Sequence, residues 1–223
     1  MASQSVTTLC FVRHGEVNNP GKVVYERLPG FPLSDVGRVQ AKRSASFLAT
    51  RPEAVRASAF FSSPLDRTME TAGYVLEAVN HQRAKENLAP LSIATDERLL
   101  EARNRYKGQR LGHGEASLFR NGNLLRFLDL RTPGWGEPYD SIAARMADFA
   151  FEKADEFVGG SVIVVSHESP IWTLRHYLET GRAATNVLTR KTALASVTAL
   201  SLEAGTHRLV GVCYKDPSEG IAN

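Results

Sequence analysis

Short apolar runs punctuate the chain, and three of them end abruptly in polar residues. Thr7 to Val12 stops at Arg13-His14-Gly15, Ala57 to Ser62 stops at Ser63-Pro64, and Val162-Ile163-Val164-Val165 stops at Ser166-His167. Runs of this length bounded by turn formers predict buried strands, the last being the strongest signal in the chain. Between them the spacing predicts helices. One is capped by Ser34 and runs to about Thr50, with Val36, Val39, Ala45 and Leu48 among its inward residues. Others are expected over about Asp66 to Asn80, Gly112 to Arg131 and Tyr139 to Phe157, and one after His167 with Pro170 near its first turn. Leu91 to Ala94 reads as a third strand, and His81 to Ala89 as an exposed polar stretch. Thr192 to Leu202 and His207 to Tyr214 read as a closing antiparallel hairpin around Ala204-Gly205. Strands alternating with helices predict an α/β fold with three layers, a mostly parallel central sheet carrying helices on both faces. With no repeat and no dividing linker, residues 1–223 are expected to form a single domain.

Composition narrows the function. The chain has 223 residues, is 43% hydrophobic and 23% charged, and carries a formal net charge of +3. That charge is too mild for the basic stripe of a nucleic-acid binder, so no nucleic-acid partner is expected. The polar start, Met1 to Thr8, leads straight into a strand with no extended apolar segment, so neither export nor membrane spanning is expected and the cytoplasm is the expected location. Cys10 and Cys213 both fall in strand-like segments and are expected as buried free thiols. Oligomeric state is open.

In open α/β sheets, ligands bind outside the carboxyl ends of the strands. The three polar strand ends would bring Arg13, His14, Arg67 and His167 to one rim. Two imidazoles and two guanidiniums repel one another unless an anion sits among them, and a phosphate dianion suits such a site. Each piece alone has a plainer meaning: Arg67 pairing with Glu70 on a helix surface, or His167 as a structural histidine. Their convergence is what argues for chemistry.

Arg13-His14-Gly15-Glu16 after a buried strand resembles the opening motif of the histidine phosphatase (phosphoglycerate-mutase-like) superfamily. Leu33-Ser34-x-x-Gly37-x-x-Gln40-Ala41 is similar to that family's first-helix signature, and Ser62-Ser63-Pro64-Leu65-x-Arg67-x-x-x-Thr71-Ala72 to its second block. Leu100-Glu101 resembles the segment carrying its acid, and Val164-Val165-Ser166-His167 its last block. The ordered resemblance spans about residues 7 to 214 and implies a phosphoglycerate mutase-like fold. It implies that His14 attacks phosphorus to form a phosphohistidine, and that Arg13, Arg67 and His167 hold the equatorial oxygens. Glu101 would protonate the leaving alkoxide and then take a proton from water. The cations are built in, so neither metal nor other cofactor is expected.

The chain departs from the pattern in places. Val17 stands where the family often has Thr, and Asn18 or Asn19 offers its Asn out of register. Glu168-Ser169 adds a carboxylate after the second histidine, and Arg103-Asn104-Arg105-Tyr106-Lys107-Gly108 replaces the usual residues after the acid, so Glu97 competes with Glu101 for that role. Residues 103–138 are expected to form a lid or insertion. Arg103, Arg105, Lys107 and Arg110 would either grip a second anionic group or form a solvated face, and Trp135 and Tyr139 would either stack on a ring or pack as core. Gly15, Asn18, Asn19, Tyr106 and Glu137 are the candidate substrate contacts. The function expected is metal-independent hydrolysis of a small phosphorylated metabolite. A phosphomutase using the same phosphohistidine, and a non-catalytic phospholigand-binding module, are the alternatives.

Overall fold

The computed structural model describes residues 5–110, 136–183 and 190–221. Its centre is one six-stranded sheet built from β1 (Val6–Arg13), β2 (Ala59–Ser62), β3 (Ile93–Thr95), β4 (Ser161–Ser166), β5 (Val197–Glu203) and β6 (Leu209–Lys215). The order is β3-β2-β4-β1-β5-β6; the first four strands are parallel, and the last two are added antiparallel as the expected hairpin. Alternate residues of the central strands feed two cores. Leu9, Phe11, Val162 and Val164 pack with α4 (Tyr139–Glu156) and α5 (Glu168–Thr180). Val12, Phe60, Ile163 and Val165 pack on the other face with α1 (Asp35–Ala49), α2 (Pro52–Val55) and α3 (Asp66–Lys85). Every residue of β4 is buried, and full burial of each of its four aliphatic side chains contributes about 1.5–3 kcal/mol. Helices thus cover both faces, as expected. No helix among the described residues is long and apolar enough to cross a membrane.

Three details differ from the sequence reading, and one alternative it left open is resolved. The buried stripe of α1 is Gly37, Gln40, Ala41, Ser44, Ala45 and Leu48, while Val39 is exposed and Val36 only half-buried. Two polar residues face inward because Gln40 accepts from the Glu16 amide and Ser44 donates to the Ala195 carbonyl. Next, α3 continues through the polar stretch to Lys85, because Arg83 is buried and donates to the carbonyls of Val55, Ala57 and Ala89. Cys213 lies exposed on the edge strand β6, whereas Cys10 is buried and its thiol is pushed up to about 12, chiefly by burial. The two cysteines share a row on either side of Ala199, roughly 10 Å apart, too far for a disulfide. Finally, Tyr139 is core, its hydroxyl accepting from Arg190. The helix expected over 112–131, most of the lid over 103–138, and Trp135 lie outside the described residues.

The carboxyl ends of the four parallel strands line up. The His14 amide donates to the Ser166 carbonyl (3.1 Å), the Ser63 amide to the Val165 carbonyl (2.9 Å), and the Asp96 amide to the Ser62 carbonyl (3.1 Å). Residues just past each strand therefore meet along one rim.

Candidate active site

His14 sits at the end of β1, 2% exposed. Its Nδ1 lies 2.7 Å from the carbonyl of Gly15, and a carbonyl can only accept, so the ring proton is assigned to Nδ1 and the lone pair to Nε2. Arg67 Nε–H caps that lone pair with a long contact of 3.3 Å. Burial, then the charges of Arg67 and Arg13, hold the His14 imidazole well below its usual value, which keeps the ring neutral.

A backbone clasp fixes this geometry. A Cβ on Gly15 would meet the Gly37 carbonyl oxygen at 2.4 Å, and one on Gly37 would meet the Glu16 carbonyl oxygen at 2.0 Å, so only two glycines allow the approach. Ser34 caps α1 by accepting from the Gly37 amide and donates its hydroxyl to Glu16 Oε1 (2.6 Å). Gln40 Oε1 accepts from the Glu16 amide (2.9 Å), and Thr71 Oγ1 accepts from the Gly15 amide (3.3 Å). The first-helix signature is thus the device that holds residues 15 and 16. Behind the ring, Ala195 adopts a left-handed conformation (φ 55°) and donates its amide to the His14 carbonyl.

Arg67, in the first turn of α3, is fully buried. Its Nη2 donates to the Glu26 carbonyl (2.6 Å), and its guanidinium lies over the Tyr25 ring at 4.8 Å. Glu70, the partner that the plainer reading of Arg67 would give it, instead bonds Arg38 and the Leu33 amide. His167 is also fully buried, with its centroid 5.1 Å from that of His14 in an edge-on arrangement. Its Nε2 meets Ser63 Oγ at 2.9 Å, and its Nδ1 is buried without a partner among the described residues. Burial, followed by the Arg67 charge, also holds His167 well below its usual value. Arg13 donates to the Thr192 carbonyl and pairs with Glu168 at 2.9 Å, leaving a buried Nε without a partner among the described residues.

Glu101 joins this group and Glu97 does not. A carboxylate oxygen of Glu101 and one ring nitrogen each of His14 and His167 lie within 4.8 Å of one another, whereas Glu97 is exposed in a 3₁₀ turn (Glu97–Leu99). Burial raises the Glu101 carboxyl above the ordinary carboxylate range, against the pull of the Ala102 amide and Arg67. These three side chains are a donor set able to hold a metal ion. Arg67, bonded directly to one of the histidines, makes the same space favour an anion.

The candidate substrate contacts are placed as follows. Gly15 lies in the clasp. Asn18 is exposed, and the Asn19 amide both donates to and accepts from Val23, pinning its own loop. Tyr106 is buried, with its amide bonded to Asn104. The Glu137 carboxylate is engaged by Arg27 (3.1 Å) and Arg145 (2.8 Å) and accepts from the Arg103 amide. Arg27 Nε in turn donates to the Glu101 carbonyl (2.7 Å), so Glu137 stands behind the acid segment. Sequence reasoning missed Tyr25, Arg27, Ser63 as the His167 partner, Arg145 and Arg190. Of these only Ser63 carried a signal, inside the Ser-Ser-Pro block.

The model of the histidine phosphatase superfamily (branch 1) matches residues 9–214. An uncharacterized protein of Mycobacterium tuberculosis is 39% identical over 212 residues, 95% of this chain and 97% of that protein. A 2,3-bisphosphoglycerate-dependent phosphoglycerate mutase of Thermoplasma acidophilum is 26% identical, covering 87% of this chain and 86% of its own. The solved structure of a mycobacterial glucosyl-3-phosphoglycerate phosphatase superposes with a TM-score of 0.70 at 24% identity, covering 95% of this chain and 98% of its own.

Proposed function

Because the chain belongs to the histidine phosphatase superfamily (branch 1), whose relatives here include phosphatases and phosphomutases, we propose that it hydrolyses a small phosphomonoester through a phosphohistidine at His14. The observation that carries this reading is the setting of His14, whose Nδ1 meets the Gly15 carbonyl, which assigns the lone pair to Nε2, and one of whose ring nitrogens lies within 4.8 Å of a Glu101 carboxylate oxygen with a raised pKa. In the first step Nε2 bonds to phosphorus, the ester P–O bond breaks, and Glu101 gives its proton to the leaving oxygen. In the second, water attacks phosphorus, Glu101 takes the proton, the N–P bond breaks and orthophosphate leaves. A phosphoryl oxygen is a stronger acceptor than a neutral imidazole, so it draws Arg67 off Nε2 as it arrives. Arg13 Nε and His167 Nδ1, without partners among the described residues, are further donors for the equatorial oxygens, whose charge grows in the transition state. None of these steps calls on a metal.

The test is turnover of an aryl phosphate with EDTA present, comparing wild type with His14→Ala and following label from a phosphate donor into protein. Hydrolysis that disappears in the variant, with acid-labile label on His14, supports the phosphatase. Label discharged only by a second hydroxyl acceptor identifies a mutase. Neither turnover nor label leaves only a phospholigand-binding module.

A further inference from the structure

The residue after the second histidine sets an electrostatic condition on the guest. Glu168 opens α5, one position past His167, and its carboxylate lies between two guanidiniums, 2.9 Å from Arg13 and 3.6 Å from Arg190. Arg190 is held in turn by Ser169 Oγ (3.2 Å) and the Tyr139 hydroxyl (2.9 Å). Two cations flanking one anion is the arrangement a substrate carboxylate or second phosphate would be expected to use, and here the protein supplies the anion itself. The charge of Glu168 also reaches the acid: after burial, it is among the influences that raise the Glu101 carboxyl, and it acts in the same direction on the Tyr25 phenol. Glu168 and Glu101, both half-buried, therefore act on the same region of the site.

We propose that Glu168 is a specificity-determining residue, which saturates Arg13 and Arg190 and turns the site towards phosphomonoesters whose alcohol portion is uncharged or cationic, against those carrying a further anion. A like charge brought beside Glu168 must displace it from its guanidiniums or sit unpaired near it, and discrimination arises from that repulsion as much as from attraction. The idea rests on the phosphatase reading for its turnover test, but not for its binding test. Exposed Arg103, Arg105, Lys107 and Arg110 are the opposing feature, since they could draw in the same anion that Glu168 repels.

A matched pair of esters separates these. Glycerol 3-phosphate and 3-phosphoglycerate share a three-carbon skeleton and differ by a hydroxymethyl against a carboxylate. The ratio of their kcat/KM values, glycerol ester over glycerate ester, is expected to be at least about tenfold in wild type. It should fall by about tenfold in Glu168→Gln and hold in Glu168→Asp, which keeps the charge. Any loss of Arg13 placement affects both esters and cancels in the ratio. The same ratio read as binding affinities by calorimetry on the His14→Ala protein, with and without Glu168→Gln, needs no turnover. A shifted binding ratio without hydrolysis would retain the specificity claim and discard the phosphatase. A wild-type preference for the glycerate ester, or a ratio indifferent to Glu168→Gln, overturns the proposal.

Discussion

The two halves of the site are held by different physics. The half carrying the proposed nucleophile, His14 with His167, follows two adjacent parallel strands, β4 buried throughout and β1 buried from Leu9 to Val12, whose register is fixed through Arg13 opposite Ser166, and two glycines lock its backbone. The acid half, Glu101, follows a three-residue strand at the sheet edge and a single 3₁₀ turn. It is kept in place by side chains: Ser166 Oγ on the Leu99 carbonyl, Arg145 on the Arg98 carbonyl, and Arg27 on the Glu101 carbonyl, with Glu137 gathering the two arginines. Backbone register places one half and polar ties place the other. Backbone pairing does not depend on which side chains the strands carry, whereas each polar tie can be removed singly, which makes the second half the adjustable one.

The largest expected effect comes from removing the acid itself. Glu101→Gln should lower kcat about 10³-fold on an alkyl phosphate and much less on an aryl phosphate, whose leaving group needs no proton. The sign of the pH dependence follows from the two shifts. His14 lies well below 6.5, so its protonation does not limit the rate near neutral pH; Glu101 lies above 4.5 and must start protonated. The wild-type rate therefore falls as pH rises through the raised Glu101 value, and the glutamine variant should lose that fall. An unchanged alkaline limb in Glu101→Gln would remove Glu101 from the role.

Gly37→Ala tests the other half. Its Cβ would stand 2.0 Å from the Glu16 carbonyl oxygen, a backbone atom with no flexible end to yield, so about 3 kcal/mol of stability should be lost, or roughly 10 °C in Tm. A full-strength Tm would mean that the clasp is looser than the contact implies. Glu137→Gln comes next. It leaves Arg27 and Arg145 facing each other with no carboxylate between them, at an expected cost of about 2 kcal/mol, and kcat should fall about tenfold with KM little changed. A change confined to KM would instead make Glu137 a substrate contact.

The same contrast governs what could be read from the sequence. The ends of β1 and β4 were legible because burial of a short run is written in consecutive residues, and Arg13, His14 and His167 stand immediately after those runs. The α1 signature was legible as a motif, but its purpose was not, since Ser34, Gly37 and Gln40 act on Glu16 some twenty positions earlier. Val39 misled because it has the right residue type on the wrong face, and Arg83 because apolar periodicity cannot register a buried guanidinium satisfied by three carbonyls. Around Glu101 the ties join residues 34 to 110 positions apart, through arginines and serines indistinguishable in sequence from surface residues. Spacing after Leu99-Leu100 favours Glu101 over Glu97, and the fold puts Glu101 beside the two histidines and Glu97 at the surface.

The smallest effect gives the sharpest test of that division, because Ser166 belongs to both halves. It ends β4 beside His167, and its hydroxyl donates to the Leu99 carbonyl at 2.7 Å, two residues before Glu101. Ser166→Ala keeps the strand, since its backbone still pairs with Arg13 and accepts from His14, and removes one neutral bond to a buried carbonyl. The cost should be about 1 kcal/mol, near the lower end for an orphaned buried acceptor. If the acid half rests on independent ties, kcat drops only two- to threefold, and the loss adds to that of Glu137→Gln in the double variant. If Ser166 and the Glu137 cluster act as one unit, the double variant is no worse than Glu137→Gln alone. The second outcome would mean that the acid half moves as a rigid piece hinged on β4, so the adjustable half of the site would have a single point of adjustment.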